Sequence, residues 1–348
     1  MAESLRVAVI GAGGIANGAH IPGWKALGDQ VEVVAVADVV RQSAERTAQQ
    51  HGITGVYESY QDMLARERPD AVSVCTPNKF HAPATIAALQ AGAHVICEKP
   101  PALRAEEAEA MAEAARVAGR LLTFGFMFRF SPEVSAAKRY AQAGDFGEIY
   151  TGRVTAVRRR GIPSWGVFTN KELQGGGPLI DIGVHMLDSA LYVMGYPEPE
   201  SVLGATHTKL GDREPGVSPW GPWNYRNYSV EDVCTALIRF RGGAALLLET
   251  SFIANIEPME EMNVRLSGTK AGVKFFPFSV FREENGVLVN QQAAWQPERV
   301  GYEAEIAHFA RCIRGEAELV STPDEAIKLQ RVIGGIYRSA EEGRSVTL

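Results

Sequence analysis

A short β-branched run, Leu5 to Ile10, ends on Gly11-Ala12-Gly13-Gly14-Ile15-Ala16, and a helix-compatible segment follows. No other feature constrains the fold as strongly. One glycine makes a tight turn, one lets backbone approach a pyrophosphate, and the small Ala16 lets helix pack on strand. The anion then rests on the free amides of a helix N-terminus. Gly11, Gly13, Gly14 and Ile15 are therefore candidate contacts to a dinucleotide. Glycine-rich turns are common, so the motif takes its weight from what surrounds it.

A second strand, Val31 to Ala37, ends in Asp38. A carboxylate there suits a ribose 2′-hydroxyl and repels a 2′-phosphate, which favours NAD over NADP. Arg41, close behind, keeps NADP in view, because a guanidinium can pair with that phosphate. The alternation continues with a helix over Arg41 to Gln50, a strand over Ala71 to Cys75 and a helix over His81 to Ala91. Then come a strand over His94 to Cys97, a helix over Arg104 to Ala118 and a strand over Leu121 to Phe124. Strands alternating with helices at this spacing predict a doubly wound parallel sheet, and ligands of such sheets lie beyond the carboxyl ends of the strands.

Two of those ends carry unusual residues. After Cys75 comes Thr76-Pro77-Asn78-Lys79-Phe80-His81, either a capped turn or a loop lining the nicotinamide side. After Cys97 comes Glu98-Lys99-Pro100-Pro101. A lysine just past a strand, beside a glutamate and stiffened by two prolines, is poorly explained as a surface charge. Its ammonium can donate hydrogen bonds to the oxygen of a reacting carbon.

Further on, Gly175-Gly176-Gly177 leads into Pro-Leu-Ile-Asp-Ile-Gly-Val-His-Met-Leu-Asp. The spacing places Asp181, His185 and Asp188 on one face of a helix. A carboxylate beside an imidazole can accept or deliver a proton near neutral pH. The alternative, a charge pair that merely steadies a helix, is worth a few tenths of a kcal/mol. Seven histidines without a His-x-x-x-His or similar spacing argue against zinc, and no metal is expected.

At 348 residues the chain exceeds one compact core, and two domains are expected. A formal net charge of −6 argues against nucleic acid or anionic membrane as partner. No run approaches the ~18 apolar residues of a membrane span, and the N-terminus lacks a signal-peptide layout. Cys75, Cys97, Cys234 and Cys312 are far apart, three of them in apolar strand-like runs, and read as reduced core residues of a cytoplasmic protein.

These residues together resemble the Gfo/Idh/MocA family of nicotinamide-dependent oxidoreductases. The matching positions are Gly11 to Ala16, Cys75-Thr76-Pro77-Asn78 with His81, Glu98-Lys99-Pro100, and Asp181-Ile182-Gly183-Val184-His185 with Asp188. The Glu-Lys-Pro triplet combined with the downstream Asp-x-Gly-x-His is the specific part. Similarity runs over essentially the whole chain, including Val230-Glu231-Asp232 and the Tyr302-to-Phe309 helix. The resemblance implies an α/β protein: a dinucleotide-binding Rossmann domain, residues 1–125, and a C-terminal α/β domain, residues 126–348, with a large, mostly antiparallel open sheet. It implies that Lys99, Asp181 and His185 surround the reacting carbon, with His185 as acid/base. It adds Thr76, Pro77, Asn78, His81, Glu98 and Lys99 to the cofactor contacts, and homodimers or homotetramers built on the C-terminal sheet. Its substrates are sugars, cyclitols and related polyols.

The second half fits that outline. Ile149 to Val157 alternates like a strand and ends in Arg158-Arg159-Arg160, a solvated or ion-paired cluster or an anion site. In Gly125-Phe126-Met127-Phe128-Arg129-Phe130, at the domain crossing, the resemblance makes Arg129 a candidate neighbour of the cofactor, while the aromatic run reads equally as inter-domain core. Trp165 and Phe168 sit in the loop before the triple glycine, where an aromatic ring can stack on a pyranose or pack within the loop. Strands are expected over Ser201 to His207, Val233 to Phe240, Ala244 to Ala254, Asn263 to Leu266 and Val273 to Phe276. Without helices between them they pair antiparallel. Lys209 to Ser229 is a long Pro/Gly/Trp-rich loop. Tyr302 to Arg314 and Asp324 to Glu342 are closing helices, with Tyr302 a candidate substrate contact. The activity expected is NAD-dependent interconversion of a secondary alcohol and a ketone on a sugar or polyol. Two other readings stand beside it: a redox-neutral glycoside-cleaving or epimerising enzyme that retains NAD, and a non-catalytic nucleotide sensor.

Overall fold

The computed structural model describes residues 4–297 and 301–348. Six strands, β1 (Leu5–Ile10), β2 (Val31–Ala37), β3 (Gly55–Tyr57), β4 (Ala71–Val74), β5 (His94–Cys97) and β6 (Leu122–Phe124), pair entirely in parallel in the order β3-β2-β1-β4-β5-β6. Helices on both faces bury them. That burial explains why β4 is buried at every position instead of at alternate ones. Strand order reverses between β1 and β4, so the crevice where such sheets bind ligands opens at Gly11 and Thr76. The strand β3 and the helix Tyr60–Glu67 behind it were not foreseen. Three half-buried residues are too few to show a period.

The second sheet has nine strands: β7 (Ile149–Arg158), β8 (Pro199–His207), β9 (Val233–Phe240), β10 (Ala245–Ser251), β11 (Glu260–Gly268), β12 (Gly272–Lys274), β13 (Ser279–Glu284), β14 (Val287–Gln292) and β15 (Val346–Thr347). Their order is β14-β13-β12-β11-β7-β10-β9-β8-β15, and only the β7–β10 pair among them is parallel. The expected strands are present, several with shifted ends; β13, β14 and β15 are additional. One face is largely apolar, as the alternation in β9 shows: Cys234, Ala236, Ile238 and Phe240 are buried while Thr235, Leu237 and Arg239 are exposed. The helix Val184–Met194 packs on that face against β7 and β11.

The chain divides into two units, Met1–Phe130 with Val300–Ile327 and Ser131–Arg299 with Lys328–Leu348. The boundary expected at 125/126 leaves the helix Gly301–Ile313 in the second domain; here it belongs to the first. Its Ile306, Phe309 and Ala310 are buried in one core cluster with Val7, Trp24, Ala71 and Ile96. Burying those side chains at roughly 25 cal/mol per Å² of apolar area ties the helix to the parallel sheet. All four cysteines are buried and free.

Candidate active site

In the first unit, Gly11 has φ +99°, and a Cβ there would run into the Cys75 carbonyl. Only glycine lets β1 turn this close to the β4 loop. At Gly13 and Gly14, by contrast, a Cβ would meet no protein atom within 4 Å. No packing reason for glycine exists at those two positions, so the open space in front of them is what glycine preserves. The helical run begins at Gly14, passes through a π-turn at Ala16–His20 and continues as Ile21–Lys25. Ala16 is fully buried against the sheet. These features fit a dinucleotide pyrophosphate. Asp38 accepts from the Ala12 amide at 2.8 Å and from the Val40 amide at 2.8 Å, holding the glycine turn against the end of β2. Each oxygen keeps a lone pair for a ribose hydroxyl. Arg41 is held by Glu45 at 2.8 Å and Glu58 at 3.8 Å, which weakens its claim on a 2′-phosphate.

Beyond β4, Thr76 Oγ1 is a buried oxygen with no hydrogen-bond partner among the described residues, at the crevice where a cofactor amide or hydroxyl would lie. Pro77 starts a single 3₁₀ turn over Asn78–Phe80. His81 has Nδ1 2.7 Å from the Pro100 carbonyl and Nε2 2.9 Å from the Thr76 carbonyl. Both ring nitrogens face backbone carbonyls, one from the loop after β4 and one from the loop after β5, and the neutral ring donates to one of them. Burial lowers its pKa.

Glu98 is 4% exposed. Its Oε1 lies 2.9 Å from His20 Nε2, while its Oε2 accepts the Lys99 amide at 3.1 Å. Behind it, Trp24 Nε1 donates to Ser73 Oγ at 2.8 Å, and Ser73 Oγ lies 3.0 Å from His20 Nδ1. An indole only donates and a carboxylate only accepts, so hydrogen bonds can run in one sense from Trp24 through Ser73 and His20 to Glu98. Burial opposes the charge on Glu98, but the His20 contact, with Lys99 and His81 nearby, outweighs it and holds the carboxyl below the usual range. Lys99 is thus half-buried on a turn gripped by two histidines. Tyr302, also half-buried, lies near His20, ring centroids 6.4 Å apart.

Of the two readings of Arg129, the contacts favour the core one. Its side chain is wholly buried, donating to the Val320 carbonyl and to Glu325, both at 2.6 Å, and stacking over Phe126. These contacts make it a strut for the chain after Ile313.

In the second unit, Gly175–Gly177 lead into a π-turn at Leu179–Gly183 and then the helix Val184–Met194. Asp181 is half-exposed in the π-turn and His185 is 8% exposed one turn on. Asp188, expected on the same face, is 1% exposed and accepts from the Tyr196 hydroxyl. A π-turn bonds i to i+5, so the spacing of Asp181 from His185, drawn at 3.6 residues per turn, shifts across it. His185 and Asp188 keep their i,i+3 relation within the α-helix. π-turns of this kind are frequent at functional sites.

Sequence reading missed the residue under this segment. Glu231 Oε2 accepts the Gly177 amide at 2.8 Å, and Oε1 accepts the Leu179 amide at 3.2 Å and the Tyr337 hydroxyl at 2.9 Å. Burial raises its pKa, with the amides and Tyr337 working in the other direction. A carboxylate three residues before an apolar strand position was visible, but nothing local linked it to residues more than fifty positions away.

The three arginines are tied within the chain: Arg158 to Glu260 and over Trp220, Arg159 to the Glu257 carbonyl, Arg160 to Ala254 and Asn255. Trp165 is 55% exposed, tilted against Trp220 and edge-on to Phe168. Among the described residues no cluster of His, Cys, Asp and Glu could hold a metal, and no helix is long and apolar enough to cross a membrane.

Comparison with known proteins agrees with this geometry. Residues 5–126 match the NAD-binding Rossmann fold of the Gfo/Idh/MocA oxidoreductase family, and residues 138–348 match its C-terminal α/β domain. The chain is 40% identical to D-glucoside 3-dehydrogenase of Escherichia coli over 344 residues, 99% of this chain and 97% of that one. It is 28% identical to myo-inositol 2-dehydrogenase of Thermotoga maritima, covering 99% and 98%. The crystal structure of aldose-aldose oxidoreductase from Caulobacter crescentus, complexed with glycerol, superposes with a TM-score of 0.81 at 29% identity, covering 99% of this chain and 100% of that one. The chain therefore belongs to the Gfo/Idh/MocA oxidoreductase family and is an NAD(P)-dependent oxidoreductase.

Proposed function

We propose that this oxidoreductase, which acts on CH–OH groups, oxidises a secondary alcohol on a sugar ring reversibly, and that its first substrate to test is a glucoside at carbon 3. The observation that carries this reading is the Glu98-Lys99-Pro100 turn at the end of β5. Its carboxylate is bound to His20 and its backbone to His81, so the Lys99 ammonium is offered from a rigid support. The 40% identity over nearly the whole chain to a D-glucoside 3-dehydrogenase selects the substrate class.

Gly11, Gly13, Gly14, Ile15 and Asp38 hold the adenosine and pyrophosphate half of NAD, and Thr76, Pro77, Asn78, Glu98 and Lys99 line its other end, with His81 fixing the last two loops. NAD supplies the hydride acceptor. His185 removes the hydroxyl proton, and Asp181 offsets the charge His185 acquires. Lys99 donates a hydrogen bond to the same oxygen as negative charge develops on it. An imidazole, unperturbed near pKa ~6.5, suits the proton acceptor better than a lysine near ~10.4. Trp165 offers an exposed ring face for the sugar, and Tyr302 a hydroxyl. On the sheet face away from the helices, Leu203, Leu237 and Leu247 stand in register across β8, β9 and β10, all exposed. That row is the surface on which a homodimer or homotetramer would form.

The test is NAD⁺ reduction over glucosides, free monosaccharides and inositols, repeated with NADP⁺. Oxidation of a methyl glucoside with NAD⁺ and a 3-keto product supports the reading. NADH formation only with inositols moves the substrate class. Turnover of a glycoside without added NAD⁺ and without net NADH replaces it with redox-neutral cleavage or epimerisation. Saturable NAD binding without turnover on the whole panel leaves a sensor.

A further inference from the structure

Glu231 and Asp232 are adjacent, both buried, and grip different parts of the second unit. Asp232 accepts from three consecutive amides, Lys209, Leu210 and Gly211, at the start of the Trp-rich loop. Trp223 closes that turn by donating to the Gly211 carbonyl at 2.6 Å, and Tyr228 donates to the Glu231 carbonyl at 3.1 Å. Glu231 reaches the other way, to the amides of Gly177 and Leu179. Pro178 between them has no N–H, so one carboxylate satisfies both donors at the entrance to the helical run carrying Asp181 and His185. Its charge also lies at the end of that run where the helix dipole favours an anion. The glycines explain themselves here: a Cβ on Gly176 would overlap the Tyr337 hydroxyl, and one on Gly177 the Glu231 carbonyl. Gly176 and Gly177 permit close docking onto Tyr337 and Glu231 instead of conferring looseness.

We infer that Glu231, held by Tyr337, is a positioning residue that sets the reactive helix, and that Asp232 beside it couples that setting to the 209–229 loop. The role of His185 in this inference rests on the reaction proposed above; the positioning itself does not. A buried carboxylate with three donors has one satisfied geometry, so the entrance at Gly177–Leu179 cannot drift without leaving amides unpaired. A displacement of about 1 Å in a reacting group costs roughly 10²-fold in rate.

The experiment pairs Glu231→Gln and Tyr337→Phe with two measurements on the full-length protein. Steady-state kinetics on the active glycoside should show kcat lowered about 10- to 100-fold in Glu231→Gln and about 3- to 10-fold in Tyr337→Phe, with the NADH dissociation constant within about twofold of wild type. Asp232→Asn should act mainly on the KM for the sugar. Hydrogen exchange, which needs no activity, should speed up in the 175–187 peptides of both Glu231→Gln and Tyr337→Phe and spare the β1 peptide. Unchanged exchange over 175–187 in a folded variant overturns the inference, as does a parallel fall of kcat and NADH affinity, which would mark general damage. If Glu231→Gln does not fold, Tyr337→Phe decides on both readouts. Absence of turnover in the wild type defeats the proposed reaction and leaves the exchange result to judge the positioning.

Discussion

Each unit keeps a buried glutamate beneath its candidate reactive group, and the two are solved differently. Glu98 faces an imidazole and has its carboxyl held low; Glu231 faces two backbone amides and a phenol and has its carboxyl pushed up. A charged or chargeable partner outweighs desolvation, whereas neutral donors only reduce it. Glu98 therefore shapes the electrostatics beside Lys99, while Glu231 places backbone. One tunes charge and the other tunes geometry.

Several measurements can break or sharpen that contrast. The largest effect is expected from His185→Ala, a fall in kcat of ~10²–10⁴ if proton transfer belongs to the second unit. Near-normal turnover would move the base to Lys99. Lys99→Met should follow, at ~10²–10³ in kcat, if its role is a hydrogen bond to the developing oxyanion. In that variant the pH dependence of kcat should keep the ionisation that His185→Ala loses, and a shared loss would make the two one coupled unit.

A subtler pair concerns stability against pH. Glu98 has a folded pKa below its unfolded value, so its contribution is present above the unfolded carboxylate range and is lost as pH falls through the folded value. Glu231 has the reverse sign: its raised folded pKa makes ionisation costlier in the fold, and stability declines as pH rises from the unfolded range through that raised value. Denaturant midpoints of Glu98→Gln and Glu231→Gln, referenced to wild type, should diverge with opposite slopes, the first below the unfolded carboxylate value of ~4.3 and the second above it. Glu98→Gln should look worse as pH rises and Glu231→Gln better. Slopes of one sign would show that the two carboxylates are not distinct in kind. Smallest of all, Leu247→Glu should lower the association state seen by sedimentation with the NADH affinity unaltered.

Much of the first unit was legible because its signals are local. A glycine fingerprint, strand ends and caps such as Gly52 and Gly119 are properties of neighbours in sequence. Lys99 stood out for the same reason, since its two prolines and its glutamate adjoin it. Where β3 was missed, three half-buried residues carry no period. Arg129 stayed open because the resemblance put a basic residue near the cofactor while the aromatic run around it read equally as core, and its pairing with Val320 and Glu325 favours the core.

The order of types along the chain was enough to determine a parallel doubly wound sheet, a second mostly antiparallel sheet, and candidate donors and acceptors at the strand ends. Periodicity and turn chemistry act over a few residues and survive in a string of letters. Only the tertiary structure decided that His20 would meet Glu98 across 78 positions, that Glu231 would seat Gly177 and Leu179, and that Asp188 would turn inward. Those contacts follow from packing distant segments so that most buried polar groups find a partner, a condition no local pattern encodes.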